Sequence, residues 1–317
     1  MQRLEVISRF CLALASSVFL FMGGLMMPPL GVILLPFVAQ PVLVFGMNYG
    51  FAAGIGLLCL AMLILALFAG EELALIYAIF ALMTALLLKL LGRLKTIEHL
   101  VVGIAAILLT ATGSLLLYFF GSWSAMIQEF RRSVSQQIAS AMRMHEQMGF
   151  PSESMQLLKE QSPQMIEAML QILPALVFLG LAFMVLINIL LLCRRFPARR
   201  NEWLSVANLR EWKAPEPLVW GLIACGFSLF VPALEAVRVA ALNLLLLLAT
   251  CYFAQGLAVI AFFFHKNNVP RFLRGITYVL IVFQQIFTLL VVGLGLFDLW
   301  GNFRRLGKDN LTPSQAA

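Results

Sequence analysis

The chain has 317 residues, of which 62% are hydrophobic and only 12% are charged, and its mean hydropathy is +0.95. Soluble domains carry about 25% charged residues, so this composition excludes a soluble globular protein and indicates an integral membrane protein. The formal net charge of +7 comes from basic residues at the ends of apolar segments. In that position they orient a chain in the bilayer and contact lipid headgroups, so nucleic-acid binding is not expected.

Apolar runs recur along the whole chain, and about 20 helical residues are enough to cross the roughly 30 Å hydrocarbon layer. The first run extends well beyond the apolar core of a signal peptide, so we expect a retained helix there. The predicted fold class is all-α, a polytopic transmembrane helical bundle of about eight or nine segments. The candidate spans are 8–27, 30–48, 50–69, 73–92, 98–120, 168–193, 218–234, 240–264 and 275–299.

The second candidate span is unusual because it begins in the stretch MMPPLGVILLPFVAQP, residues 26–41, with four prolines and Gln40. Each internal proline removes a backbone donor and frees the carbonyl four residues back. At membrane depth such groups are tolerated only when buried in protein or lining a wet cavity. A glycine-rich span follows, with Gly50-x-x-x-Gly54 suited to close packing. A solute pocket of a transporter and a scaffold with irregular helices both fit this arrangement.

The largest polar insertion separates the fifth and sixth candidate spans. In residues 121–167, apolar side chains recur at three- and four-residue steps opposite a charged face, with a break at Gly149-Phe-Pro151. This pattern predicts an amphipathic helical hairpin on the membrane surface, which could also dock a partner. We expect Pro163 to end its second helix. The chain then divides into an N-terminal transmembrane unit of about five segments (1–120), this insertion (121–167) and a C-terminal transmembrane unit (168–317).

Polar residues inside the candidate spans must face protein or water, because an unsatisfied polar group in hydrocarbon costs several kcal/mol. For each, an interhelical hydrogen bond is the structural alternative to lining a pocket. No full charge lies at the centre of a span, which argues against an autonomous ion-coupled pump. Glu235 and Arg238 are helix neighbours that could form a gate or a neutralising pair at the membrane edge. The candidate pocket-lining residues are Gln40, Asn188, Asn243, Gln255, Gln284 and Gln285.

No catalytic pattern is present, so we expect no enzyme, cofactor or metal site. The three histidines are isolated, and the five cysteines lie in or beside apolar segments without a CxxC pair. The loop 194–216 interleaves arginines with Trp203 and Trp212, which favours interfacial anchoring and leaves a docking role open.

Four blocks resemble, in order, the YybS-like family of bacterial membrane proteins, a family of unknown function. They are PPLGVILLPFVAQPVLVFGMNYGFAAG, LREWKAPEPLVWGLI, YFAQGLAVIAFFF and LGLFDLWGNFRR. The N-terminal half is also similar to the substrate-capture subunits of energy-coupling-factor vitamin transporters and to the rod-shape protein MreD. The transporters carry a Pro-x-x-x-x-Gly-x-x-Tyr-Gly-like segment, and Pro41, Gly46, Tyr49 and Gly50 match its spacing. The resemblance implies a small-molecule-binding subunit energised by a partner such as an ATPase, without defining any binding residue.

The sequence therefore predicts a multi-pass protein of the bacterial inner membrane that binds a small-molecule solute for transport. The alternative is a non-transporting scaffold for cell-envelope assembly or division. Basic loop residues favour a cytoplasmic N-terminus. If the short segment 218–234, which contains Pro232, crosses the bilayer, the tail is outside; if it only dips in, the tail is inside. Both topologies stay open at this point.

Overall fold

Helices make up most of the computed structural model, which describes residues 2–93, 96–147, 152–203, 209–230 and 235–304. The helices are α1 (Gln2–Met26), α2 (Pro28–Leu34), α3 (Gln40–Tyr49), α4 (Phe51–Phe68), α5 (Glu71–Leu90), α6 (Ile97–Phe120), α7 (Trp123–Gln147), α8 (Ser152–Arg195), α9 (Arg200–Trp203), α10 (Leu218–Ser228), α11 (Glu235–Lys266), α12 (Arg271–Phe283) and α13 (Gln285–Gly301). Short 3-10 turns lie at Leu35–Phe37, Pro197–Arg199 and Leu209–Glu211. Within the described ranges there is no strand, so the predicted all-α class is confirmed.

The chain forms two compact units, unit 1 (Met1–Ser205) and unit 2 (Val206–Ala317). Among the described helices, seven segments are long and apolar enough to cross a membrane, and the bent pair α12 and α13 makes an eighth if it counts as one span. Five of the seven precede α7, and the other two are contained in α8 and α11. The predicted polytopic bundle is therefore confirmed.

One predicted span is wrong as a continuous crossing, and the segment 218–234, whose crossing was left open, contains a short helix. In the described part of 218–234, the 11-residue α10 is about 16 Å long and is followed by a turn at Leu229 and Phe230, so this helix alone is too short to span. Pro232 lies outside the described residues. The segment 275–299 bends by 103°. The bend arises because Gln284 takes an extended conformation between α12 and α13.

The predicted end of a helix at Pro163 is also wrong. Helix α8 runs for 44 residues and contains both Pro163 and Pro174. A proline removes one hydrogen bond of the helix, and the remaining bonds of the 44-residue α8 continue the helix on both sides of each proline. The predicted amphipathic helix before it is observed as α7, and its place on the membrane surface stays a prediction; the expected break at Gly149-Phe-Pro151 lies outside the described residues.

The core of unit 1 includes Trp203, which we expected from the sequence to anchor the loop 194–216 at the membrane interface. Trp203 is only 7% exposed and packs with Phe196 at a ring-centroid distance of 6.1 Å. Its ring lies against the turn after α5, where Gly92 has a φ of +83° and leaves room for it. Trp203 therefore stabilises the turn between α5 and α6 instead of anchoring the loop in lipid.

Glycines set the closest helix approach in the first half of unit 1. A β-carbon added at Gly54 would lie 3.3 Å from the Cα of Gly46 and 2.8 Å from Cδ1 of Leu88. Helices α3 and α4 therefore meet at Gly46 and Gly54, with Leu88 of α5 against both. Gly50 has a φ of +100° and forms the turn between these helices, so only the second glycine of the predicted pair makes a packing contact.

Helices α11 and α13 of unit 2 approach even more closely. A β-carbon added at Gly256 would overlap the carbonyl oxygen of Val291, and one added at Gly295 would overlap the carbonyl oxygen of Tyr252. These pairs run in opposite directions along the two helices, which are therefore antiparallel at this crossing. The contact brings Gln255 of α11 beside Asp298 of α13.

Candidate functional site

The proline-rich second element is held by a side-chain hydrogen-bond pair within unit 1. The Gln40 amide donates from Nε2 to the carbonyl oxygen of Asn188 at 3.0 Å and to its Oδ1 at 2.8 Å. In return, Asn188 Nδ2 donates to the carbonyl oxygen of Pro36 at 2.9 Å and to that of Met184 at 2.7 Å. The side chain of α8 thus satisfies a carbonyl at the junction between the 3-10 turn and α3.

Asn188 is buried among packed apolar side chains, whereas Gln40 is half-buried. Asn188 is 0% exposed, and Ala39 and Leu43 lie in one buried cluster with Val185 and Ile189. The polar atoms of Gln40 and Asn188 meet protein partners in this apolar setting, which is the interhelical bond that sequence analysis gave as the alternative to a pocket. This pair therefore does not support a solute site at the broken element.

The remaining candidates lie in unit 2 and do not come together as one group. Asn243 Nδ2 donates to the carbonyl oxygen of Val239 in its own helix at 2.8 Å. Gln284 and Gln285 are both exposed at the bend between α12 and α13. Their roles as pocket residues stay predictions.

The candidate gate pair lies at the beginning of α11. Both Glu235 and Arg238 are exposed there, in the first turn of the helix. This position suits the neutralising pair as well as the gate, so a gating role stays a prediction.

Gln255 belongs to a buried polar cluster that sequence analysis missed. Its Nε2 donates to Oδ2 of Asp298 at 3.1 Å, and its Oε1 accepts from the backbone N–H of Ala214 at 3.1 Å. Arg304 donates from Nη2 to the same Asp298 Oδ2 at 2.6 Å, and both charged side chains are 0% exposed. Arg304 Nη1 also donates to the carbonyl oxygens of Arg210 and Trp212, at 2.6 and 3.0 Å.

Two sequence signals could have located this cluster. Asp298 is the only acidic residue in the last apolar run, and Arg304 follows it by six residues, just beyond the helix end. Neither residue was among the candidate site residues, because the search for intramembrane charges looked at the centres of spans and Asp298 lies at the end of one. Burying a carboxylate costs several kcal/mol unless a paired cation and hydrogen bonds compensate, so an acidic residue at a span end also predicts a partner nearby.

Unit 1 contains an apolar cavity of about 320 Å³, partly open to the outside, between α6, α7 and α8, hereafter the α6–α8 cavity. Apart from Glu129 and Ser133, its lining side chains are apolar or aromatic. The lining residues are Leu116, Phe120, Trp123, Met126, Ile127, Glu129, Phe130, Ser133, Leu170, Leu173 and Pro174.

Local sequence explains how three helices come to surround this space. Gly121 adopts a left-handed φ of +72°, which ends α6 and reverses the chain within two residues, so α7 begins beside the end of α6. Helix α7 is tied to α8 by an ion pair between Arg131 Nη2 and Glu167 Oε2 at 2.6 Å. Both partners are about half exposed, so the pair orients the helices more than it stabilises them.

The apolar face of α7 therefore covers a gap between α6 and α8, with its polar face outward. The two polar lining residues, Glu129 and Ser133, are separated by one helical turn. Arg132 Nη1 lies 4.0 Å from Glu129 Oε2. The arrangement can hold an apolar chain along the aromatic wall while a polar group stays beside Glu129 and Ser133. In the described residues, no three histidine, cysteine or acidic side chains are placed to hold a metal ion.

Comparison with known families identifies the chain. The family described as "Predicted membrane protein (DUF2232)" matches residues 15–299, nearly the whole length. The chain belongs to this family of membrane proteins. No curated protein and no solved structure matches it.

Proposed function

We propose that the protein is a small-molecule-binding subunit of the bacterial inner membrane, and that its ligand is an amphiphile with an apolar chain. The observation that carries the proposal is the α6–α8 cavity. Its volume of about 320 Å³ falls within the roughly 300–1,000 Å³ of small-molecule sites, and its wall is apolar with few polar groups. This site replaces the broken second element as the proposed place of binding.

The chemistry of the wall favours a lipid-like molecule over a polar solute. Phe120, Trp123 and Phe130 offer flat apolar surfaces, and a sugar or amino acid would lose its hydrogen bonds to water against them. Glu129 and Ser133 offer a carboxylate and a hydroxyl that can bind one polar group. An apolar chain with a small hydroxyl or amino head group fits both parts.

Energy for any transport is proposed to come from a partner protein, such as an ATPase module. Asp298 is the only fully buried acidic residue in the described chain, and Arg304 neutralises it. Ion-coupled carriers use an intramembrane carboxylate that can exchange its cation, and a carboxylate fixed to arginine is unsuited to that task. The proposed subunit therefore has no energy source of its own, and we propose no enzymatic activity for it.

Native mass spectrometry of the purified protein tests the binding proposal. We expect the wild type to carry a bound molecule, and Leu170→Trp, which fills the cavity from α8, to reduce its occupancy at least about tenfold. Val102→Trp is the matched control, because Val102 is 54% exposed on α6 and does not line the cavity. A wild type without bound molecules, or equal loss in both variants, contradicts the proposal.

A scaffold function is the second candidate, and the mutually bonded Gln40–Asn188 pair favours it. A chain whose broken helix is closed by its own side chains needs no solute to explain that helix. If the protein is a scaffold, Leu170→Trp restores the phenotype of a deletion strain as well as the wild type does. Charge reversal at Arg132 on the outer face of α7 then abolishes restoration, because partner contacts are lost.

A further inference from the structure

The buried Arg304–Asp298 ion pair of unit 2 forms only one of the two parallel hydrogen bonds that such a pair can make. Arginine and carboxylate commonly form two parallel hydrogen bonds, which use two nitrogens and both oxygens. Here Arg304 Nη2 and Asp298 Oδ2 form one bond at 2.6 Å, and the Oδ2 atom also accepts from Gln255. The two atoms that would form the second bond of this two-bond arrangement (the fork) are Arg304 Nε and Asp298 Oδ1. Both are buried and have no hydrogen-bond partner in the described chain.

These two atoms have complementary needs. The Nε–H group is a donor that requires an acceptor, whereas the carboxylate oxygen requires a donor. Leaving either of them unsatisfied in a buried site is unfavourable, and more so because both belong to charged groups. Both flank the same Nη2–Oδ2 bond, so one small molecule that accepts at one end and donates at the other can satisfy them together.

The charges around the pair select the kind of molecule. A cation beside Asp298 would be repelled by the guanidinium of Arg304, and an anion beside Arg304 would be repelled by the carboxylate. The pair as a whole is neutral, which leaves a neutral group that both donates and accepts. The hydroxyl group of Tyr252, one helical turn before Gln255, is also buried and has no hydrogen-bond partner among the described residues, which adds a third polar group to this region of α11.

We propose that Asp298 and Arg304 form a binding site for one neutral hydroxyl group, which accepts from Arg304 Nε–H and donates to Asp298 Oδ1. Water and a hydroxyl-bearing solute both supply this chemistry. The occupied site completes the fork and holds the end of α13 on the 209–214 segment through the Arg304 bonds to Arg210 and Trp212. This site is independent of the α6–α8 cavity.

The direct test is a high-resolution cryo-electron microscopy structure of the full chain in lipid nanodiscs. We expect density within hydrogen-bonding distance of both Arg304 Nε and Asp298 Oδ1. A two-armed fork with the two atoms bonded directly to each other would overturn the proposal, and so would an open fork without density. The wild type alone decides between these results, so the test does not depend on a variant that folds.

Two further measurements distinguish the source of the hydroxyl group. A solute gives density larger than one atom and an added mass at one copy per chain in native mass spectrometry, whereas water gives a single peak and no added mass. Arg304→Lys keeps the charge but removes Nε, so it should lose the density. Lys213→Gln is the control, because it removes only the nearby exposed bond to Asn302 and should keep the density. Unchanged density in Arg304→Lys would also overturn the assignment.

Discussion

At the scale of single residues, the protein satisfies its buried amides with partners far away in the sequence. Gln40 and Asn188 are separated by 148 positions and bond to each other, and Asn188 also bonds to Pro36. The sequence indicates that each amide needs a partner, because hydrocarbon offers none. It does not indicate which partner, since that depends on how α3 and α8 pack.

Replacing Asn188 by leucine is expected to lower the free energy of unfolding by about 1–3 kcal/mol. Leucine has the same branching and the same number of side-chain heavy atoms, but the carbonyl of Pro36 and the amide of Gln40 each lose the bond to the Asn188 side chain. Unfolding in mixed detergent micelles measures this change. Thr110→Val is the control, because Thr110 is exposed and bonds only within its own helix. Equal effects of the two substitutions would contradict the account of the Gln40–Asn188 pair.

At the scale of elements, apolar length predicts most spans, and the errors have physical causes. The starts of α4 and α5 follow from Gly50 and Gly70, which adopt positive φ values that favour glycine. Proline was less informative, because α8 continues through both Pro163 and Pro174. The bend at Gln284 could not be read from an apolar run, since hydropathy reports length and does not report direction.

The crossing of α11 and α13 provides the sharpest test at this scale. Gly256→Ala is expected to destabilise the protein by about 1–3 kcal/mol or more, because its β-carbon would overlap the backbone of Val291, which cannot move aside as a side chain can. Gly293→Ala on α13 is the matched control, since nothing lies within 4 Å of the added carbon. Alanine favours a helix over glycine, so the control is expected to be neutral or stabilising.

Thermal unfolding in detergent measures both alanine variants. A Gly256→Ala protein as stable as Gly293→Ala would contradict the close approach of α11 and α13. The sequence alone could not separate these two glycines, because both lie in apolar helices and differ only in what the fold places opposite them.

At the scale of the whole molecule, composition is enough to predict a polytopic helical membrane protein. It does not give the number of crossings, because the nine apolar runs include the short α10 and the bent pair of α12 and α13. The candidate site likewise could not be predicted from the sequence. The sequence predicts polar residues and an amphipathic α7, but the α6–α8 cavity exists only where three helices meet, and no single motif encodes it.

The hydrogen bond between Lys213 and Asn302 predicts that the loop before α10 and the end of α13 lie on the same side of the membrane. Lys213 Nζ donates to Asn302 Oδ1 at 2.9 Å, and Lys213 is exposed. Cysteines introduced separately at these two positions, after the five native cysteines are replaced, are expected to react with a membrane-impermeant thiol reagent from the same side. Labelling of one position in intact cells and of the other only after lysis would contradict the bond. Reaction of both after lysis is the control for accessibility.

Binding in the α6–α8 cavity is the central claim, and photo-crosslinking with a diazirine-labelled amphiphile tests it most directly. The protein is labelled in lipid nanodiscs, and the modified residues are mapped by peptide mass spectrometry. We expect crosslinks concentrated on the cavity wall, at Phe120, Phe130 and Leu170, and competed by excess unlabelled amphiphile. Crosslinks spread evenly over exposed apolar residues such as Phe19 and Phe68, without competition, would contradict the claim.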